Sequence, residues 1–180
     1  MTVVNDELRD LAEVIDRRCR LRGEFTLRSG ITATEYFDKY LFEADPVLLR
    51  RVIDLMVPLI PADTDLLGGL ELGGVPLATV LSQVTGLPTV FVRKEAKTYG
   101  TCRLAEGPDV VGKNVTLIED VITTGGAVLA ATTALREQAA HIAHVVCAID
   151  RSAETATALR DLGVSVRSVL TKDILDSTRG

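Results

Sequence analysis

Apolar residues recur at helical spacing in some stretches of this chain and run unbroken in others, and the two patterns take turns along most of its length. From about Asn5 to Arg22, Leu8, Leu11, Ala12, Ile15 and Cys19 fall three or four apart with charges between them, which predicts an amphipathic helix. Pro46 to Pro58 repeats that spacing with Val47, Leu48, Val52, Leu55 and Met56, bracketed by proline at both ends. Short continuous apolar runs suit parallel strands covered on both faces, and they occupy Leu66 to Leu70, Thr89 to Val92, Val115 to Glu119, His141 to Ile149 and Val164 to Leu170. Helices are predicted from about Pro76 to Val84, Ala127 to Gln138 and Ala153 to Leu162, with a last helical turn at Lys172 to Asp176. Strands alternating with helices predict an α/β fold whose central parallel sheet is joined by right-handed crossovers.

Two segments break the alternation. In GEFTLRSGITATEYFDKY, Phe25, Thr26 and Leu27 predict a short strand and Ser29-Gly30 a turn, in a stretch too polar for core and too aromatic for a linker. A surface hairpin packing Tyr36 and Phe37 inward accounts for it on local grounds. After the run at Thr89, the chain meets Arg93, Lys94 and Lys97, then Tyr99, Gly100 and Thr101, with no apolar periodicity up to Asp109. Solvated charge is the ordinary explanation for such a basic loop. Its place at the end of a predicted strand adds another, because open α/β sheets bind ligands outside the carboxyl ends of their strands.

The most specific chemistry lies in VTLIEDVITTGGAV, Val115 to Val128. A buried strand runs into the acidic pair Glu119 and Asp120, and a Thr-Thr-Gly-Gly turn opens onto a helix. Backbone amides of such a turn, the hydroxyls of Thr123 and Thr124 and the helix dipole can hold a phosphate, while the two carboxylates can accept from sugar hydroxyls or approach a divalent cation. A ribose 5-phosphate has both ends. The string lacks the G-x-x-x-x-G-K-[ST] and G-x-G-x-x-G patterns, which weakens two other phosphate-binding readings. A second glycine-rich turn, with Glu71, Gly73 and Gly74 ahead of a helix, permits close backbone approach to a ligand or a plain tight turn. At the end of the run from His141, Arg151 could pair with a planar anion or form a surface salt bridge, while His141 and His144 sit at a strand start and read as structural.

With 180 residues, 47% hydrophobic and 25% charged, the composition is that of one ordinary globular domain, residues 1–180. A net charge of −5 argues against a broad nucleic-acid-binding face. Cys19, Cys102 and Cys147 are an odd set without metal-ligand spacing, which predicts free thiols in a reducing compartment. No signal-peptide pattern and no apolar run near the length of a membrane span appears, so a soluble cytoplasmic protein is expected, with no membrane partner.

The central string resembles the 5-phosphoribosyl-1-pyrophosphate (PRPP) motif of type I phosphoribosyltransferases, and FVRKEAKTYGTCRLAEG, Phe91 to Gly107, resembles the orotate phosphoribosyltransferases in particular. The resemblance covers roughly Glu24 to Leu175. It implies a type I phosphoribosyltransferase fold with a small N-terminal hood, formed mainly by about residues 20–42, over the base. It implies transfer of phosphoribosyl from PRPP to orotate, giving orotidine 5′-monophosphate and pyrophosphate in pyrimidine biosynthesis. Mg²⁺ would be carried by PRPP near Glu119 and Asp120, with no side chain as a direct ligand.

By the same resemblance, Glu119, Asp120, Val121, Ile122, Thr123, Thr124, Gly125, Gly126 and Ala127 hold ribose and 5-phosphate, and Leu72 and Gly73 contact pyrophosphate. Arg93, Lys94, Lys97 and Tyr99 serve the leaving group with Asp120 at the ribose, and Arg28, Tyr36, Phe37, Thr123 and Arg151 hold orotate. Family members commonly carry lysine where this chain has Arg28, lysine in some cases at Gly73, and often histidine at Tyr99. Closure over residues 97–107 would exclude water, and the loop would reach the active site of a partner subunit in a homodimer. Two alternatives stand beside this reading: a phosphoribosyltransferase for another base, and a non-catalytic PRPP-sensing regulator.

Overall fold

The computed structural model describes residues 2–26, 30–94, 104–152 and 155–178. The first helix, α1 (Thr2–Cys19), buries Leu11, Ala12, Ile15 and Cys19 completely, as the apolar spacing requires. It stops three residues short of the expected end. Arg20, Leu21 and Arg22 instead enter strand β1 (Arg20–Thr26), which pairs antiparallel with β2 (Thr32–Phe37), Arg20 facing Phe37 and Leu21 facing Tyr36. Arg20 fixes that changeover, since its guanidinium meets Asp16 of α1 at 2.6 Å, Glu35 of β2 at 3.3 Å and Asp176 near the C-terminus at 3.7 Å.

A helical turn, α2 (Tyr40–Glu43), leads to α3 (Pro46–Met56), whose first turn is capped by Asp45 accepting from Val47 and Leu48 amides. Then come β3 (Leu66–Leu70), α4 (Gly74–Thr85), β4 (Thr89–Val92), β5 (Ala105–Glu106), β6 (Asn114–Ile122), α5 (Gly126–Glu137), β7 (His141–Asp150), α6 (Thr155–Asp161), β8 (Ser165–Thr171) and α7 (Lys172–Ser177). The five expected strands are all present. β6 runs three residues past its predicted end, so the acidic pair, Val121 and Ile122 belong to the strand and the turn proper begins at Thr123. β5 lies in the stretch read as loop. Two residues are too few to show a period, and only the pairing of Phe91 with Glu106 and Val92 with Ala105 defines the strand.

The six-stranded sheet has the order β5-β4-β3-β6-β7-β8. All neighbours are parallel except β5 on β4. From β3 the chain moves outward to β4, then returns to the other side of β3 with β6. The strand order therefore reverses between β3 and β6, and the connections leave the two carboxyl ends in opposite directions, opening a crevice there. One face of the sheet packs Ile118, Val146 and Ala148 against α1, α3 and α4, while the other packs Leu117, Val145 and Cys147 against α5 and α6. Cys19 and Cys147 are buried free thiols, and burial pushes the Cys19 thiol up to about 12.

Candidate active site

The carboxyl ends of β3, β4, β6 and β7 carry most of the residues singled out in the sequence. Along β6, successive side chains alternate between the two faces of the sheet, so Glu119 and Asp120 begin on opposite sides. Past Ile122, Thr123 and Thr124 are exposed and Gly125 takes φ 67°, a left-handed conformation that turns the chain directly into α5. Gly125 has no side chain with which to cap that helix, in contrast to Asp45 at α3 and Thr171 at α7. The first-turn amides, with exposed Gly126 and Ala127, are thus presented to an anion.

Facing this turn is the end of β4. Glu71 Oε2 accepts from the Lys94 amide at 3.0 Å, and the Glu71 amide donates to the Val92 carbonyl at 2.8 Å, so the β3 and β4 ends are tied together. A cavity of about 230 Å³ lies between them and α5, lined by Glu71, Arg93, Lys94, Leu104 and Ala127 among others. Arg93 and Lys94, just past β4, and Ala127 in the first turn of α5 therefore border one space. Lys97 and Tyr99 fall outside the described residues, as does Arg28 of the hood.

The turn after β3 contains a cis peptide at Glu71-Leu72, an exposed Leu72, and two buried glycines pressed against β6. A Cβ on Gly73 would sit 1.6 Å from Asp120 Oδ2, and one on Gly74 would sit 2.2 Å from the Ile118 carbonyl oxygen. Close approach of backbone to backbone and to a carboxylate, and not left-handed torsion, is why glycine stands at both.

Asp120 itself is fully buried, 0% exposed. Its Oδ2 lies 2.5 Å from Lys39 Nζ, and its Oδ1 accepts from the Val121 amide. Glu119 and Glu43 close the cluster. Burial, then the charge of Asp120, pushes the Glu119 carboxyl up to about 9, and burial, then its hydrogen bond to Asp120, pushes Glu43 up to about 8. Burial acts to raise Asp120 as well, but hydrogen bonds from Glu43, Glu119 and Lys39 outweigh it and hold that carboxyl below its ordinary value. On Lys39 burial is likewise outweighed by Asp120, and its ammonium is held above its ordinary value. The Lys39 ammonium and the Val121 amide thus favour the ionised form of Asp120, while burial beside that charge favours the protonated forms of Glu43 and Glu119.

Neither Lys39 nor Glu43 was singled out by sequence. The available signal was slight: two charges four apart on a helical turn with Tyr40, Leu41 and Phe42 between them, Phe42 being wholly buried. Phe37 and Arg151 are brought together, with the guanidinium carbon 5.0 Å from the ring centre. Tyr36, next along β2, is not part of that contact; its ring packs 5.6 Å from Phe25. Alternation along the strand sends the two neighbours to opposite sides. Among the described residues no group of three or more His, Cys, Asp or Glu side chains is arranged to hold a metal ion.

The family described as phosphoribosyl transferase domain matches residues 46–164. The chain is 66% identical over 169 residues to an orotate phosphoribosyltransferase of Nocardioides sp., covering 94% of both chains. It is 45% identical over 148 residues to one from Methanocella arvoryzae, covering 82% of this chain and 85% of that one. Among solved structures, the Mycobacterium tuberculosis orotate phosphoribosyltransferase with Fe(III) dicitrate superposes with a TM-score of 0.82 at 34% identity, over 94% of this chain and 98% of the other. The same enzyme in complex with PRPP gives 0.79 at 31% identity, over 94% and 99%.

Proposed function

The chain belongs to the phosphoribosyl transferase family, among the orotate phosphoribosyltransferases, and we infer that its strand-end crevice transfers the 5-phosphoribosyl group of PRPP to orotate. The observation that carries this reading is the convergence of an uncapped α5 start, a carboxylate cluster and the Arg93-Lys94 cations on the reversal point of a parallel sheet, beside an aromatic-arginine pair suited to a planar anion.

In the reaction a bond forms between an orotate ring nitrogen and the ribose anomeric carbon as the bond from that carbon to pyrophosphate breaks, and the nitrogen loses its proton. An oxocarbenium-like transition state needs no protein nucleophile, so the side chains position and stabilise charge. Thr123 to Ala127 hold the 5-phosphate, Glu119 and Asp120 serve the ribose, and Arg93 and Lys94, joined by Lys97, neutralise the departing pyrophosphate. Phe37 and Arg151 hold the orotate ring and its carboxylate, with Arg28 completing the hood.

Mg²⁺ fits this site as a companion of the substrate. Lys39 already supplies positive charge at Asp120, so Mg²⁺ would be held by the oxygens of the donor and not by that carboxylate. When bound it offsets the charge of the departing oxygens. A homodimer is part of the same reading, supported by the exposed apolar side chains Leu72 and Tyr40 beside an open cavity of about 270 Å³. The buried free thiols of Cys19 and Cys147 support a cytoplasmic setting, and no described helix is long and apolar enough to cross a membrane.

The test is direct. Purified protein with PRPP and Mg²⁺ is expected to consume orotate, read as loss of orotate absorbance, with stoichiometric pyrophosphate. No turnover of orotate, or preferred turnover of another base, would overturn the assignment.

A further inference from the structure

Lys39 stands two residues after the hood strand β2, at the start of α2, and reaches across to the end of β6. Its Nζ is 2.5 Å from Asp120 Oδ2, an oxygen boxed on another side by Gly73, where even a Cβ could not fit. The pair is unequal in exposure: the Lys39 side chain is 32% exposed and Asp120 is 0%. A wholly buried carboxylate without a cation is strongly disfavoured, so Lys39 determines both the charge and the orientation of Asp120. Four residues on, Glu43 approaches the same carboxylate while its own Oε1 is buried without a hydrogen-bond partner. The segment just before Lys39 also carries Phe37, which lies against Arg151 at the end of the adjacent strand β7. Phe37 and Lys39, two residues apart, thereby touch the base side and the ribose side of the crevice.

We propose that Lys39 is a positioning residue for both substrates: it orients the acidic pair toward the ribose through Asp120, and by the same bond clamps the hood segment that places Phe37 over the base. It touches no reacting atom and acts through Asp120 and the backbone to Phe37. The proposal rests on the orotate phosphoribosyltransferase reading, because it assigns the two sides of the crevice to PRPP and orotate.

The experiment compares wild type with Lys39→Met, which keeps the length and loses the charge, and Lys39→Arg, which keeps the charge. Steady-state kinetics are run with PRPP and orotate varied separately. Lys39→Met is expected to raise KM for both substrates, each on the order of tenfold, as loss of a charge-assisted bond implies. Lys39→Arg is expected to recover most of that loss. If Lys39→Met melts below the assay temperature, Lys39→Gln is judged by the same criteria. Unchanged KM values, a rise for one substrate only, a loss confined to kcat, or no recovery with arginine overturns the role of Lys39. A wild type inert toward orotate would instead overturn the functional assignment.

Discussion

The guanidinium carbon of Arg151 lies 5.0 Å from the centre of the Phe37 ring. The two come from opposite ends of the chain, Phe37 closing β2 and Arg151 following β7, where its amide extends the sheet by donating to the Ile122 carbonyl at 2.8 Å. A planar cation over an aromatic face contributes about 0.5–2 kcal/mol according to its exposure. Phe37→Leu removes the face and leaves the ribose-phosphate turn untouched. KM for orotate is expected to rise severalfold while KM for PRPP stays within about twofold of wild type, since roughly 1 kcal/mol is a factor near five. Equal changes for both substrates in steady-state assays would contradict a base-side role. Arg151→Lys should be nearly as damaging as Phe37→Leu, because lysine keeps the charge and loses the plane.

The centre of the sheet was legible from local pattern because its strands are buried on both faces and carry no charged side chain there, as in Leu66 to Leu70 and Val145 to Ile149. The Phe37-Arg151 pair was legible only as two separate residues, joined by resemblance to a family. Lys39 was not legible, since its role arises when a half-polar hairpin connection packs on the end of β6, and a single lysine among aromatics carries no periodicity. The first helix was overrun for a similar reason. Arg20 to Arg22 has no pattern that forbids helix, and the strand exists because β2 is there to pair with it.

Gly73 and Gly74 separate a functional close approach from a structural one. A methyl group on Gly73 meets the Asp120 carboxylate and displaces it from Lys39, whereas one on Gly74 meets the Ile118 carbonyl of a central strand and disturbs the backbone alone. Gly73→Ala is expected to lower the melting temperature, because displacing the buried Asp120 carboxylate separates it from Lys39. It is also expected to bind PRPP at least about tenfold more weakly, a loss of roughly 1.4 kcal/mol. Gly74→Ala is expected to cost about 1–3 kcal/mol of stability, the usual range for overpacking. Thermal melts and calorimetric titration with PRPP check the pair. Wild-type PRPP affinity in Gly73→Ala would mean that the Asp120 contact is not what Gly73 protects.

The basic segment after β4 supplies a third expectation. Lys94 is exposed at the cavity shared with the start of α5, and its backbone is anchored by Glu71. Lys97 lies outside the described residues but continues the same run of charge. If these cations offset charge that builds up on departing pyrophosphate, Lys97→Ala lowers kcat by at least about tenfold, equivalent to roughly 1.4 kcal/mol of barrier. The fold should be unaffected. Unchanged kcat in a steady-state assay would remove Lys97 from leaving-group stabilisation.

The carboxyl cluster makes stability depend on pH in a definite direction. Glu43 is pushed from an ordinary 4.5 up to about 8 by burial and by its bond to Asp120, and Glu119 up to about 9 by burial and by the charge of Asp120. Between the ordinary carboxylate value and these raised ones, the folded protein holds protons that the unfolded chain has released. Stability must then fall as pH rises through that window, because the state that binds more protons is favoured at low pH. Asp120 works in the opposite sense. Its carboxyl is held below the ordinary 3.8, so its contribution is complete above that value and is lost only in acid. From about pH 5 to about pH 8 the two glutamates therefore decide the slope, and the melting temperature of the ligand-free protein is expected to decline across that range. Glu43→Gln keeps a neutral hydrogen-bonding group at the same place and cannot ionise, so its decline should be shallower. Thermal melts of both proteins in matched buffers test this, and parallel slopes would show that Glu43 does not keep its proton in the folded state.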